Sequence, residues 1–405
     1  MKIRSITYFC NPKYPLDQDV VQKAGQFLSA ARSAYEAAGY EVQTTRLATI
    51  PFPELLGENH VNALSELAND LASAIQQVGV AYASLGPALP TVPRSYEVIA
   101  EAISTSPTIF FGGMMADTGR GIDLAAIRAC ADVIVKCGRI EPNGFANLQF
   151  AGLANVKPGA PFFPAAYHGS NEPAFAIATE AADLAVDAFS STKTLEKGRE
   201  ALTAEIEKHG KAITRISKTE LSNIGFVGID FSLAPFPDDA HSLGNAVEIM
   251  GIPKVGLHGS LAAAAILTEA IDRADFPHTG FSGFMQPILE DSVLARRAAE
   301  GSLTIKDALL YSAVCGTGLD TIPLPGDTVS EQLVPLLLDL CALALRLDKP
   351  LTARLMPIPG KQAGDETNFD FAFFAPSRVM ALDSAEIALP FGADESLYLN
   401  KLPNS

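Results

Sequence analysis

Four side chains of the kinds that catalysis uses most often lie at the ends of short apolar runs. Asp230 ends one such run and His258 precedes Gly259 in a second turn, while Cys315 and Asp320 lie in the glycine-rich stretch 314–328. A thiolate beside an imidazole is a nucleophile, and a carboxylate can hold that imidazole in the tautomer it needs. The pattern predicts Cys315 as nucleophile or proton donor and His258 as acid or base. Asp230 or Asp320 would orient the imidazole, and a structural role for each residue stays open.

Glycine-rich turns elsewhere predict contacts with an anionic ligand. Gly119, Arg120 and Gly121 precede a predicted helix, where free amide donors and a guanidinium favour a phosphate or carboxylate. Polar residues of other such turns are further candidates for ligand binding: Ser232, Ser282, Gly326, Asp327 and Lys361. A solvated turn is the alternative for these residues.

Candidate metal ligands are scattered. His168 and Glu172 are four residues apart, and oxygen ligands are available at three more positions, Glu290, Asp365 and Glu366. These residues are compatible with a divalent metal whose identity the sequence does not specify, and helix capping is the alternative for Glu290 with Asp291. The five cysteines have no CxxC spacing, which excludes a four-thiolate zinc site and an evenly paired disulfide framework.

The elements that must position these residues alternate along the chain. Strand-like runs are predicted over 3–9, 41–47, 80–84, 108–112, 146–155, 226–231, 254–257, 281–286, 352–356 and 379–382, and helices lie between most of them, including one over 173–189. Parallel neighbours require crossover connections, so this order predicts an α/β protein with about ten parallel strands, as a barrel or a large wound sheet. No linker divides the chain, and we expect a single domain over 1–405.

Composition narrows the classes of partner. The 405 residues include 30 Lys and Arg against 46 Asp and Glu, a net charge of −16, which argues against a nucleic-acid groove. The longest apolar run, 333–345, is interrupted by Asp339, which argues against a membrane span. Residues 1–4 lead directly into a strand without a signal-peptide core, so we expect a cytoplasmic protein. The sequence leaves open whether it forms a homo-oligomer.

Several segments together resemble one known family. They are residues 1–7, 44–46, 228–235, 258–259, 315–320, 325–327, 359–361 and 364–366, in that order along nearly the whole chain. This pattern resembles the family catalogued as domain of unknown function 711. The resemblance implies a fold similar to the ten-stranded α/β barrel, with surrounding helices, of pyruvate formate-lyase-like glycyl radical enzymes. Those enzymes need a C-terminal Arg-Val-x-Gly-Tyr-like loop, and this chain has none, so no glycyl radical is expected.

The residues and the resemblance together predict an enzyme that acts on a small polar or anionic metabolite through a Cys/His/Asp site. One alternative is a metal-dependent enzyme that uses carboxylates and histidine. Another is a regulatory protein that binds a metabolite without converting it, since fold alone does not transfer function. The cofactor is not assigned.

Overall fold

The computed structural model describes residues 1–403 and contains strands and helices that alternate through most of the chain. The strands are β1 (Lys2–Cys10), β2 (Val42–Thr49), β3 (Tyr82–Ala88), β4 (Ile109–Asp117), β5 (Gly121–Asp123), β6 (Phe150–Ala154), β7 (Ala174–Glu180), β8 (Gly225–Asp230), β9 (Gly318–Pro325), β10 (Leu351–Ile358) and β11 (Ser396–Leu397). Most of the predicted strands are present, with boundaries that differ by a few residues. The predicted α/β class is confirmed.

The helices cover the sheet and begin where the local sequence favours it. They are α1 (Gln18–Ala37), α2 (Phe52–Leu56), α3 (Leu64–Gln77), α4 (Arg94–Glu97), α5 (Ile99–Thr105), α6 (Leu124–Gly138), α7 (Ala182–Ser190), α8 (Leu195–Thr219), α9 (Leu243–Ile249), α10 (Ser260–Asp272), α11 (Ser292–Ala299), α12 (Ile305–Tyr311) and α13 (Ser330–Arg346). Short 3₁₀ helices occupy Glu58–Ala63, Phe145–Gln149 and Asp239–His241. Asp123 caps α6 by accepting from the amide of Ala126, and Thr304 and Asp307 form a capping box on α12.

The sheet consists of parallel sets that meet in antiparallel pairs. Its order is β8-β7-β1-β2-β3-β4-β6-β10-β9, with β5 and β11 forming a small side ladder on β4. Strands β1, β2, β3, β4 and β6 form one parallel set, and β7–β8 and β9–β10 form two further parallel pairs. The contacts β1–β7 and β6–β10 are antiparallel. Consequently the carboxyl ends of β7 and β8 lie at the same edge as the amino ends of β1 and β2.

The expected closed barrel of about ten strands is not formed by regular strands. The sheet order ends at β8 and β9, and an irregular segment, 277–289, lies between these two edges. The amide of Ile229 donates to the carbonyl of Pro277 at 2.8 Å, and the amide of Ile288 donates to the carbonyl of Asp320 at 3.0 Å. Single parallel bridges pair Ile229 with His278 and Pro287 with Asp320. The predicted strand over 281–286 is therefore a hydrogen-bonded connection between the edges and not a ladder strand.

Two strands, β7 and β9, lie where the sequence-based prediction placed other structure, and each has a physical reason. The predicted helix over 173–189 divides into β7 and α7, because its first residues pair with β1 in the sheet. The stretch predicted as a glycine-rich loop contains β9, although Pro323 and Pro325 cannot donate ladder hydrogen bonds. Proline is tolerated there because β9 lies at the end of the sheet order, and edge strands need fewer donors. The predicted strands at 254–257 and 379–382 are irregular.

Candidate functional site

A cavity lies where the amino-terminal halves of β1–β4 meet the carboxyl ends of β7 and β8. The volume of this cavity is about 140 Å³. Its charged lining residues are Arg4, Arg46, Asp230, Glu290, Asp320 and Arg354. Arg4, Arg46 and Arg354 come from β1, β2 and β10, and Asp320 comes from β9. Most of the charged side chains of the site therefore project from strands and not from loops.

Two of the three arginines are neutralised by carboxylates. Arg354 donates from Nε to Asp320 Oδ1 at 2.5 Å and from Nη2 to Glu290 Oε1 at 2.9 Å. Arg4 donates to Glu180 Oε2 at 3.1 Å and also to the second oxygen of Glu290. Burial lowers the pKa of each guanidinium, but the adjacent carboxylates more than offset this and leave both pKa values above the ordinary one. Glu290 thus joins Arg4 and Arg354 into one network.

Arg46 differs from the other two arginines because it forms no ion pair within residues 1–403. Its Nε donates to Thr44 Oγ1 at 2.9 Å, and the guanidinium lies 5.0 Å from the centroid of the Phe163 ring. Neither Nη atom has a hydrogen-bond partner in that part of the chain. Burial, and then the positive charge of Arg4, lower the pKa of Arg46 to about 9. The cavity therefore holds one half-buried cation that lacks a counter-ion.

Asp320 has one oxygen engaged and one without a partner. Oδ1 accepts from Arg354, whereas Oδ2 is buried and has no hydrogen-bond partner. The side chain is 1% exposed. Burial raises the pKa of Asp320 above the usual aspartate value; Arg354 opposes this rise and Glu290 adds to it. A buried carboxylate of this kind can hold or release a proton at a pH closer to neutrality than an exposed one.

Asp230 lines the same cavity, but its oxygens are occupied by the chain itself. Oδ2 accepts from the amide of Phe281 at 3.0 Å, and Oδ1 accepts from the amide of Ser282 at 2.9 Å and from the hydroxyl of Ser232 at 2.5 Å. Burial raises the pKa of Asp230, and these three donors partly counter the rise. Asp230 and Ser232 therefore hold the irregular segment 277–289 against the end of β8. The hydroxyl of Ser282 bonds to backbone atoms, at 2.9 Å from the carbonyl of Thr279.

Cys315 and His258 do not lie with Asp230 and Asp320, contrary to the convergence expected from the sequence. Cys315 is fully buried after α12, with its sulfur 3.9 Å from Nε2 of Gln286, and it does not line the cavity. His258 is exposed in the turn before α10. The glycines near Cys315 allow close backbone packing and not the approach of a ligand: a Cβ on Gly316 would lie 2.4 Å from the carbonyl oxygen of Phe281.

Ser232, a predicted ligand-binding residue, lines the cavity together with Asp230, whereas the predicted ligand turns that contain Gly326, Asp327 and Lys361 lie outside it. Gly326 follows β9, where its amide donates to the carbonyl of Lys361 at 2.9 Å, and Asp327 accepts from Gln362 at 3.2 Å. Asp320 lies six residues earlier, which is roughly 20 Å along an extended strand. The sequence argument placed ligands beyond the carboxyl ends of strands, whereas β9 contributes to the cavity near its amino end.

The glycine-rich turn at Gly119, Arg120 and Gly121 has already satisfied its amide donors. Asp117 Oδ1 accepts from the amide of Gly119 at 2.7 Å and from that of Arg120 at 2.9 Å. This turn joins β4 to β5, and Gly121 lies in β5 and not at the start of a helix. The chain's own carboxylate therefore occupies the position predicted for a ligand anion.

The candidate metal ligands do not form a cluster of three or more within residues 1–403. His168 is buried and stacks on Phe9 with ring centroids 6.1 Å apart, and burial lowers its pKa. Glu172, Asp365 and Glu366 are exposed, and Glu290 bonds to Arg4 and Arg354. Within residues 1–403, no group of three or more His, Cys, Asp or Glu side chains is arranged to hold a metal ion. Asp291, which neighbours Glu290, caps α11.

Sequence reasoning missed the three arginines as site residues, although a signal for them was present. The signal is clearest for Arg354, which stands between Ala353 and Leu355 in a strand whose other residues are apolar or small. Arg4 and Arg46 lie in strands that contain other polar residues, so their signal is weaker. Charged side chains are almost never buried in a sheet unless they are paired or functional. Glu180, at the end of β7, was hidden within the segment predicted as a helix.

The comparison with known families is decisive over most of the chain. Residues 1–375 match the family described as Uncharacterised ACR (DUF711). The chain belongs to the DUF711 family. The resemblance seen in the sequence is thereby confirmed, and the residues that line the cavity all fall within the DUF711 match.

This DUF711 chain is similar to UPF0210 proteins of several organisms. It is 33% identical to a UPF0210 protein of Pyrobaculum arsenaticum over 282 residues, which cover 66% of this chain and 61% of that protein. It is 31% identical to a UPF0210 protein of Pyrobaculum islandicum over 350 residues, 81% and 76% of the two chains. A UPF0210 protein of Neisseria meningitidis serogroup B is 27% identical over 352 residues, 82% and 77%. The chain spans about three-fifths of the length of the Pyrobaculum arsenaticum relative.

No helix within residues 1–403 combines the length and the apolar character that crossing a membrane would require.

Proposed function

We propose that this DUF711 protein is an enzyme that binds a small anionic metabolite in the cavity and acts on it by acid–base chemistry. The observation that carries the proposal is the Arg46 guanidinium, which lines the cavity without a carboxylate partner while Arg4 and Arg354 have theirs. An anion bound to Arg46 would supply the missing counter-charge. A guanidinium with two free Nη groups favours bidentate binding of a carboxylate or phosphate.

Asp320 is the proposed proton donor or acceptor. Its Oδ2 has no partner, it lines the same cavity as Arg46, and burial raises its pKa. The ion pair with Arg354 fixes the carboxylate in position, and Glu290 fixes Arg354 from its other side. A positioned carboxylate with a perturbed pKa in the same cavity as an anion-binding cation is an arrangement common to enzymes that move protons on carboxylic or phosphorylated substrates.

The proposal does not include a thiol or a radical. Cys315 lies outside the cavity, and the sequence has no Arg-Val-x-Gly-Tyr-like segment for a glycyl radical. Segment 277–289 is part of the proposal only as scaffold: Asp230 binds its amides at Phe281 and Ser282, and Glu290 directly follows it in the chain.

Equilibrium dialysis against a bacterial metabolite extract, followed by mass spectrometry, tests the proposal without a chosen substrate. The wild type should retain one or more small anions that Arg46→Gln does not retain, while Arg296→Gln, a change at an exposed arginine, should retain the same set as the wild type. Retention of only neutral or cationic compounds, or retention unchanged in Arg46→Gln, would contradict the proposal.

Catalysis is separated from binding by a second step. The retained anions are incubated with wild type and with Asp320→Asn, and the mixtures are analysed by NMR in D₂O for new products or for deuterium at carbon. Conversion of a retained anion by the wild type but not by Asp320→Asn supports the proposal that the protein is an enzyme. Tight retention without any conversion or exchange would instead indicate a metabolite-binding regulatory protein.

A further inference from the structure

The cavity wall is unusually aromatic for this chain. Six of its nineteen lining residues are aromatic, whereas aromatic residues make up 8% of the sequence. They are Tyr82, Phe110, Phe162, Phe163, Phe371 and Phe373. A wall of this kind offers a large apolar surface to a ligand, and a purely hydrophilic ligand would leave that surface in contact with water.

Three of the aromatic rings form a contiguous row that begins at the unpaired cation. Tyr82 and Phe110 are in edge contact with centroids 5.5 Å apart, and Phe110 and Phe163 follow at 5.4 Å. Phe163 in turn lies under the guanidinium of Arg46. The anion-binding group and an apolar surface are therefore adjacent, so one ligand can contact both.

The remaining wall includes a loop that is fixed at its two ends. The amide of Thr367 donates to the carbonyl of Ser377 at 2.9 Å, and the amide of Ser377 donates to Thr367 Oγ1 at 3.1 Å. Near its carboxyl end the amide of Ala375 donates to the carbonyl of Leu289 at 2.7 Å. Between these anchors Phe371 and Phe373 lie with ring centroids 5.3 Å apart, and both line the cavity. Both rings are only half-buried, which leaves part of their surface open to a ligand.

The charges of the cavity limit the ligand to a single negative charge. Arg4 and Arg354 are already paired, so Arg46 is the one lining guanidinium within residues 1–403 that can accept a new anion. Asp230, Glu290 and Asp320 line the same space and would repel a second negative group. A nucleoside triphosphate or a dicarboxylate therefore does not suit this site.

We infer that the ligand of the cavity is a monoanion, a carboxylate with a flat apolar body. The carboxylate binds Arg46, and the apolar body lies against the aromatic wall, to which Phe371 and Phe373 contribute as specificity-determining residues. This inference rests on the proposed role of Arg46 in anion binding and adds the size, charge and polarity of the substrate class.

Isothermal titration calorimetry with four matched probes tests each part of the inference. Phenylacetate carries the charge and the ring, phenylacetamide only the ring, acetate only the charge, and phenylmalonate the ring with a second carboxylate. Phenylacetate should bind the wild type at least about tenfold more tightly than each of the other three. Arg46→Gln should weaken phenylacetate binding by about tenfold or more, with little effect on phenylacetamide.

The loop is tested with the double variant Phe371→Leu/Phe373→Leu. It should weaken phenylacetate binding severalfold and leave acetate binding unchanged, whereas Phe391→Leu, at a ring that is 51% exposed outside the cavity, should change neither. Circular dichroism and a thermal melt establish that each variant is folded before titration.

The outcomes separate this inference from the proposed function. If acetate bound as tightly as phenylacetate and its binding required Arg46, the ligand would not need an apolar body, whereas the proposed anion binding would stand. Equal binding of phenylacetamide would overturn the role of Arg46 and with it the proposed function. Tighter binding of phenylmalonate would overturn the single charge, and no detectable binding of phenylacetate would overturn the inference as a whole.

Discussion

Arg354 donates a hydrogen bond of 2.5 Å from Nε to Oδ1 of Asp320, and the second oxygen of that carboxylate has no partner. The two residues lie on neighbouring parallel strands, β9 and β10, so the sheet itself sets their separation. With Arg4 also paired, Arg46 is the one cavity arginine that has no counter-ion within residues 1–403. This unpaired charge is the basis of the proposed anion binding.

Arg46→Met should stabilise the protein in the absence of ligand while abolishing anion binding. An unpaired, half-buried charge is unfavourable, and an apolar side chain of similar length removes it, with an expected gain of roughly 1 kcal/mol in the free energy of unfolding. Urea unfolding measures the change. Arg354→Met is the matched control and should lose about 3–5 kcal/mol, because it leaves Asp320 buried without a cation and leaves Glu290 with Arg4 alone. A loss of stability in Arg46→Met would contradict this account.

Asp320 should make the stability depend on pH in the acidic range. Burial raises its pKa in the folded protein above the unfolded value, so the folded state binds the proton more tightly. The contribution of Asp320 to stability is then greatest below the unfolded pKa and declines as pH rises through the folded pKa. Asp230 and Asp291 shift in the same direction, so the effect must be isolated by comparison with a variant.

That comparison uses urea unfolding of the wild type and Asp320→Asn from about pH 4 upward. The stability of the wild type relative to the variant should fall as pH rises, and it should level off once Asp320 is ionised. If the stability of the wild type relative to Asp320→Asn grew with pH, the attraction of Arg354 would outweigh the effect of burial, and the pKa of Asp320 would be lowered.

Asp230→Asn should loosen the segment 277–289. The Asp230 carboxylate accepts hydrogen bonds from two backbone amides and from the hydroxyl of Ser232. In the Asp230→Asn variant the side-chain NH₂ would replace one of these acceptor oxygens and would lie against a hydrogen-bond donor. We expect a loss of about 2 kcal/mol in the free energy of unfolding. Hydrogen exchange at the amides of Phe281 and Ser282 should accelerate. Asp327→Asn, at an exposed turn, should change neither quantity, and normal protection of both amides in Asp230→Asn would contradict the role assigned to Asp230.

No cysteine should react rapidly with limiting iodoacetamide in the native protein at neutral pH. All five thiols are buried, and burial raises the pKa of Cys10 and Cys137 to about 12. In denaturant all five should be modified, as peptide mass spectrometry can show. Rapid native modification of Cys315 ahead of the other four would restore the catalytic thiol that the sequence suggested.

The sequence by itself determined the alternation of strands and helices and the family. Local patterns suffice for the alternation, because the apolar spacing of α3 and the caps of α6 and α12 depend on residues a few positions apart. The family can be identified from the order of its motifs along the chain, without three-dimensional information. Local patterns also indicated Asp230 and Asp320, because each follows or interrupts an apolar run. They failed at β7 and β9, where pairing with β1 and β10 overrides local preference.

Only the tertiary structure decided which charged residues share the cavity. Arg4 and Glu290 are 286 positions apart, and whether a buried charge has a partner depends on such long-range pairs. Strand direction decided the rest. Because β7 and β8 run antiparallel to β1, the carboxyl end of β8 and the amino ends of β1 and β2 meet at one cavity. The turn at Gly119 follows the carboxyl end of β4, which runs parallel to β1, β2 and β3, and it therefore lies at the other end of the sheet. A sequence states which side chains are available, and the directions of its strands determine which of them meet.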